Sequence, residues 1–183
     1  MNYLPAIEIE PIEPSNANAS VIWLHGLGAS GDDFSPIVPA LGLAKKKECE
    51  NLHVRYVFPH APSIPVSING GMVMPAWYDI LSIDVERKIN EAQFSQSCKQ
   101  VTDLIEREIE RGVASDKIVL AGFSQGGAVA YQVALSFEKP LAGLMAMSTY
   151  IASKDSIVLQ EANKNLAISI FHGSQDNVVP ESL

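Results

Sequence analysis

The chain has 183 residues, 47% of them hydrophobic and 19% charged, with a formal net charge of −8. That length and balance predict one soluble globular domain with ample core, and the negative charge argues against nucleic acid and anionic membrane surfaces as partners, since both attract cations. Two cysteines, Cys49 and Cys98, are too few for a disulfide scaffold and read as free thiols of a reducing, cytoplasmic setting.

The opening MNYLPAIEIEPIEP lacks the basic start and apolar centre of a signal peptide. No run approaches the roughly 18 apolar residues that would span a bilayer, so no stable membrane insertion is expected. Ala6 to Ile12 alternates apolar and acidic residues and suits an edge strand. Asn18-Ala19-Ser20 matches a glycosylation sequon, read as a chance occurrence without a secretory signal. Val21 to Leu24 is a continuous apolar run, the mark of a strand buried on both faces. Asp32-Asp33-Phe34 opens a short helical stretch to about Leu43, with one of the two aspartates as its N-cap. Val54 to Phe58 is the next strand, closed by Pro59, and the proline- and glycine-bearing stretch from His60 to Pro75 reads as a long loop. Phe94, Cys98, Val101, Leu104, Ile105 and Ile109 recur at helical spacing. Glu106, Arg107, Glu110 and Arg111 would cover that helix's solvent side, and Gly112 would end it. Ile118–Ala121, Leu141–Met147 and Leu166–Phe171 are strands, and Ala128–Leu135 is a helix. Strands alternating with helices predict a mostly parallel α/β sheet.

The chemistry centres on Gly122-Phe123-Ser124-Gln125-Gly126, a G-x-S-x-G motif lying between a predicted strand and a predicted helix. A serine on such a turn has an exposed hydroxyl, and glycines two residues away on either side leave room for the sharp bend. Ser124 is therefore the candidate nucleophile. A serine hydroxyl is a poor nucleophile alone and needs a base. Earlier in the chain, Gly26-Leu27-Gly28-Ala29-Ser30-Gly31 formally matches G-x-G-x-x-G after a strand. A dinucleotide site would want an acid at the end of the second strand, where Phe58-Pro59-His60 stands instead. The segment reads better as an oxyanion loop, with the Leu27 amide as first donor and the Gln125 amide as second. The His25 side chain would pack beneath it. Asp176, just past the last visible strand, lies where an α/β-hydrolase places the carboxylate that orients its histidine, in the order Ser…Asp…His.

These pieces together resemble the phospholipase/carboxylesterase family of α/β-hydrolases, which includes the acyl-protein thioesterases. The matching segments are WLHGLGASGDDF (23–34), FPHAP (58–62), PAWYDI (75–80), GFSQGG (122–127) and HGSQDNVVP (172–180). The resemblance implies an α/β-hydrolase fold with helices on both faces of the sheet, Ser124 as nucleophile, Asp176 as triad acid, and the Leu27 and Gln125 amides as oxyanion hole. It also implies an acyl groove near Leu27, Met72, Val73, Met74, Trp77 and Val179, although apolarity alone would equally place those residues in the core. It implies no metal and no organic cofactor, a small-molecule or lipid acyl ester or thioester as substrate, and a homodimer as one expectation for the assembly.

The family's pattern places its catalytic histidine well beyond the acid, after another strand. The four histidines here, His25, His53, His60 and His172, all precede Asp176. The expectation is a C-terminally incomplete domain, residues 1–183, whose general base lies beyond the given sequence and whose final strand and helix are missing, leaving a bare sheet edge. Such a chain would be nearly inactive by itself. Two functional classes follow: a serine hydrolase of esters or thioesters, argued by the elbow, and a non-catalytic acyl-binding or interaction protein, argued by the absent base.

Overall fold

The computed structural model describes residues 3–11, 17–43, 46–83 and 87–180. A six-stranded sheet runs through it, built from β1 (Ala6–Ile9), β2 (Ala19–Leu24), β3 (Val54–Pro59), β8 (Ile118–Phe123), β9 (Gly143–Met147) and β10 (Ile168–Phe171), in the order β1-β3-β2-β8-β9-β10. Only β1 is antiparallel to its neighbour. The continuous apolar strands earn their central places by facing two layers. In β2, Ile22 and Leu24 enter a core shared with α2 (Glu91–Glu110) and α3 (Gln125–Ser136), while Trp23 enters a second core with Tyr56, Phe58 and Ala121 on the opposite face. That second face is closed by Phe34, by Val38 and Leu41 of the short helix α1 (Val38–Leu41), and by Leu43.

The helical periodicity of α2 is realised: Phe94, Val101, Leu104 and Ile105 are buried, Asn90 caps its start by accepting from the Gln93 N–H, and Gly112 leaves it at φ 96°. Glu110 and Arg111 are exposed as expected, but the helix's charges also pair inward. Glu108 is fully buried and pairs with Arg55 and Arg111, each at 3.0 Å. Arg107 and Arg111 reach Glu8 on β1, both at 2.7 Å, and Arg111 also reaches Glu10 at 2.6 Å. The charges clamp the edge strand to the helix, a pairing between distant segments that helical spacing alone does not reveal.

Two further differences are local. The N-cap near residue 32 is Ser30, whose hydroxyl accepts from the Asp32 N–H while the Asp33 carboxylate takes the Ser30 N–H at 2.6 Å, a reciprocal capping box. The expected loop from His60 to Pro75 is a hairpin, β4 (Ser63–Val66) paired with β5 (Met72–Pro75). A second hairpin, β6 (Ile80–Ile83) with β7 (Arg87–Ile89), precedes α2. At the other margin, β10 is the edge strand among the described residues, with Ile168, Ile170 and Phe171 exposed. No described helix is long and apolar enough to cross a membrane.

Candidate active site

Strand β8 ends at Phe123 and α3 begins at Gln125, leaving Ser124 between them at φ 50°, ψ −119°. This conformation is sterically costly for a residue with a Cβ, by about 1–3 kcal/mol, and persists only where the surroundings hold it. They do so at both ends of the residue. The Ser124 N–H donates to the Met147 carbonyl at 3.0 Å, and the Thr149 hydroxyl donates to the Ser124 carbonyl at 2.6 Å. The motif glycines are explained by contact. A Cβ on Gly122 would sit 2.5 Å from Gly127 Cα, one on Gly126 2.4 Å from the His25 carbonyl oxygen, and one on Gly127 2.5 Å from Thr149 Oγ1. The N–H groups of Gln125, Gly126 and Gly127 open a 12-residue helix, so they have no acceptor a turn earlier and carry the helix's positive end.

The glycine-rich loop after β2 lies against this elbow: a Cβ on Gly26 would be 3.5 Å from Ser124 Cβ. The half-buried Leu27 follows, and Gly28, at φ 74°, donates to the Pro75 carbonyl at 2.8 Å. Beneath the loop His25 is fully buried. Its Nδ1 lies 2.8 Å from the Gly26 carbonyl and its Nε2 3.0 Å from the Ala61 N–H. A carbonyl can only accept and an amide only donate, so the ring is the neutral Nδ1–H tautomer. Burial pushes its pKa below the ordinary 6.5. The His25 carbonyl accepts from the Trp77 indole at 2.8 Å. The Gln125 side chain, 1% exposed, accepts from the Trp77 N–H at 2.9 Å and donates to the Tyr78 carbonyl at 2.7 Å. The segments around residues 25, 61, 77 and 125 are thus laced together by buried hydrogen bonds beside Ser124.

Asp176 lies on the same rim. Phe123, Met147 and Phe171 are in register across β8, β9 and β10, and Ser124 and Asp176 both follow this line. The end of β9 and the residues after it touch both: Met147 and Thr149 hold the Ser124 backbone, and Ser148 faces the Asp176 carboxylate, helping to lower its proton affinity. Ser148 itself adopts φ 42°. Asp176 Oδ1 accepts from the Val178 and Val179 N–H groups, each at 2.9 Å. The Val179 bond first, then that from Val178, holds this carboxyl below the ordinary 3.8.

Each histidine has its own place. His25 is committed below the glycine-rich loop after β2, and His60 Nδ1 accepts from the Gly31 N–H at 3.2 Å. His53 is bonded through its backbone to Asn18 and Ala19. His172 Nε2 donates to the Val179 carbonyl at 2.7 Å, with Asp176 Oδ2 3.9 Å away. The residues expected to line an acyl groove divide. Met72 and Val73 are exposed on the β4–β5 hairpin, and Met74 Sδ comes within 3.7 Å of a Cβ placed on Gly28, in the glycine-rich loop after β2. Trp77 and Val179 are 1% and 2% exposed: the indole is consumed by the His25 carbonyl, and both residues support the site from the core. Ser148, Thr149 and Arg87 escaped the sequence reading, because their roles come from contacts between segments far apart in the chain.

Residues 7–183 match the family described as Phospholipase/Carboxylesterase. Acyl-protein thioesterase 1 of Schizosaccharomyces pombe is 39% identical over 175 residues, which cover 94% of this chain and 75% of that protein. Acyl-protein thioesterase 1 of Cryptococcus neoformans var. neoformans is 38% identical over 174 residues, covering 92% and 71%. Among solved structures, Arabidopsis thaliana SOBER1 superposes with a TM-score of 0.79 at 32% identity, over 89% of this chain and 77% of that one. Zea mays acyl-protein thioesterase 2 superposes with a TM-score of 0.78 at 24% identity, over 98% and 80%, a likeness of fold.

Proposed function

The chain belongs to the phospholipase/carboxylesterase family of α/β-hydrolases, and on that premise we propose that it is a serine hydrolase in which Ser124 attacks the carbonyl of an acyl ester or thioester. Ester or thioester hydrolysis is the activity that family membership supports. The observation that carries the finer reading is the strained elbow: Ser124 at φ 50°, held at both its N–H and its carbonyl, beside a glycine loop and ahead of unpaired helix N–H groups. Such strain has no structural benefit of its own, which weighs against a merely acyl-binding protein.

In the proposed mechanism the Ser124 Oγ–H bond breaks as Oγ bonds to the carbonyl carbon. The proton passes to a histidine, and the carbonyl oxygen becomes an oxyanion stabilised by the Leu27 and Gln125 amides. Collapse expels the alcohol or thiol, which takes up the proton, and water then releases the acid from the acyl-serine. Asp176 orients the histidine and stabilises its charged form, and its own depressed proton affinity keeps it ionised for that task. The four histidines in residues 1–183 do not supply it in this reading: His25 Nε2 and His60 Nδ1 accept backbone amides elsewhere, His53 lies beside Asn18, and His172 Nε2, although 3.9 Å from the Asp176 carboxylate, is engaged by the Val179 carbonyl. The substrate is a small-molecule or lipid acyl ester, or an S-acylated protein, with Met72, Val73 and Met74 beside the acyl chain. Mass analysis after prolonged incubation with a fluorophosphonate and added imidazole, which stands in for the base, tests the nucleophile: the adduct belongs on the peptide containing Ser124, and modification elsewhere refutes the assignment.

A further inference from the structure

We propose that Arg87 is a positioning residue for the acid loop, holding Asp176 in place through the Val178–Val179 peptide; the inference rests on Asp176 being the triad acid. Arg87 stands on β7, 89 positions ahead of Asp176 in sequence. Its Nη2 donates to the Val178 carbonyl at 2.6 Å. The nitrogen of that same peptide unit belongs to Val179, whose N–H donates to Asp176 Oδ1 at 2.9 Å. One amide group therefore links a cation to a carboxylate, accepting at its oxygen and donating from its nitrogen. A positive charge on a carbonyl oxygen polarises the amide and strengthens its N–H as a donor, and a bond from guanidinium at this length is charge-assisted.

The guanidinium is itself well placed to act as a strut. Its carbon lies 4.3 Å from the centre of the Tyr150 ring, a cation–π contact. The Tyr150 hydroxyl is 2.8 Å from that of Tyr78, which is fully buried and packs edge-on against Phe94 of α2. The Tyr78 carbonyl accepts from Gln125, the residue after the nucleophile. Arg87 thus ties the loop bearing the acid to the core that carries the elbow. The other groups facing Asp176 are His172 from the end of β10 and Ser148 from the end of β9; neither contacts the oxygen of the Val178–Val179 peptide.

The test compares the wild-type chain with Arg87→Met, which keeps an aliphatic stem over Tyr150 but removes the donor and the charge, and with Arg87→Lys, which keeps the charge. NMR hydrogen exchange at Val178 and Val179 should accelerate about tenfold in Arg87→Met, the loss expected for one charge-assisted bond, and recover in part in Arg87→Lys. Carboxyl titration of Asp176 should move upward in the same order, while exchange in β8 stays unchanged and reports that the fold is intact. Unaltered exchange and titration in a folded Arg87→Met protein would overturn the proposal. Neither readout needs turnover, so exchange and titration decide the role of Arg87 whether or not Asp176 proves to be the triad acid.

Discussion

Around Ser124 the backbone is enclosed by other backbone: Gly122, Gly126 and Gly127 have no space for a Cβ, and the neighbouring side chains Gln125, Trp77 and His25 are buried with their polar atoms paired. Around Asp176 the setting is open. Strand β10 has all four residues exposed, the loop after it is largely exposed, and a Cβ on Gly173 would meet nothing closer than Asp176 Cβ at 3.9 Å. Ser124 is fixed by packing, which tolerates almost no change. Asp176 is fixed by a few polar bonds, from the Val178 and Val179 amides and, through the peptide between them, from Arg87, which can be altered one at a time. The difference shows how one rim can join a rigid, strained turn to a loop adjusted by hydrogen bonding.

The sharpest way to break this comparison is a pair of identical substitutions. Gly126→Ala should destabilise the protein by about 3 kcal/mol, because its Cβ meets the His25 carbonyl and Leu24 backbone, which cannot move aside. Gly173→Ala should stay within about 0.5 kcal/mol of wild type. Urea denaturation of both reads the contrast, and equal effects would contradict it. Next in size, Gln125→Ala should cost about 2 kcal/mol by stranding the Trp77 N–H and the Tyr78 carbonyl in the core. A midpoint unchanged from wild type would show that the lattice below the elbow contributes little.

The smallest effect is that of pH. Above 6.5 the His25 ring is neutral in both folded and unfolded chains and adds no pH dependence. Below 6.5 the unfolded chain takes up a proton that the buried ring, its Nε2 facing the Ala61 N–H, resists. Stability should therefore fall as pH drops from 6.5 until the folded ring itself protonates. The decline between pH 6.5 and 5 should be smaller in His25→Gln; an equal decline would place its source elsewhere.

What could be read from the sequence followed from locality. The strands through residues 22, 57 and 120, the helix from Phe94 and the elbow at Ser124 are each specified by a short run of neighbours with a clear period or turn. The β4–β5 hairpin was hidden because Pro65 and Pro75 argue against strands, yet Pro65 sits in a two-stranded unit where a missing donor is tolerated. The burial of Trp77 and Val179 could not be separated from a groove wall by apolarity. The inward pairing of Arg107 and Arg111, and the burial of Glu108, were not legible because the partners, Glu8, Glu10 and Arg55, lie far away in sequence.

The central claim is that Ser124 is an enzymatic nucleophile whose base is not among the four histidines present, and imidazole dependence tests it most directly. The 183-residue chain should hydrolyse a p-nitrophenyl ester slowly, at a rate lowered by about 10⁴ to 10⁶ as for a serine triad without its base. Added imidazole should raise that rate, and Ser124→Ala should remove the increment above the reaction of imidazole alone. Rapid turnover without imidazole that is lost in His172→Ala would contradict the account by identifying a base within the chain, and an imidazole increment that survives Ser124→Ala would contradict it by dismissing the nucleophile.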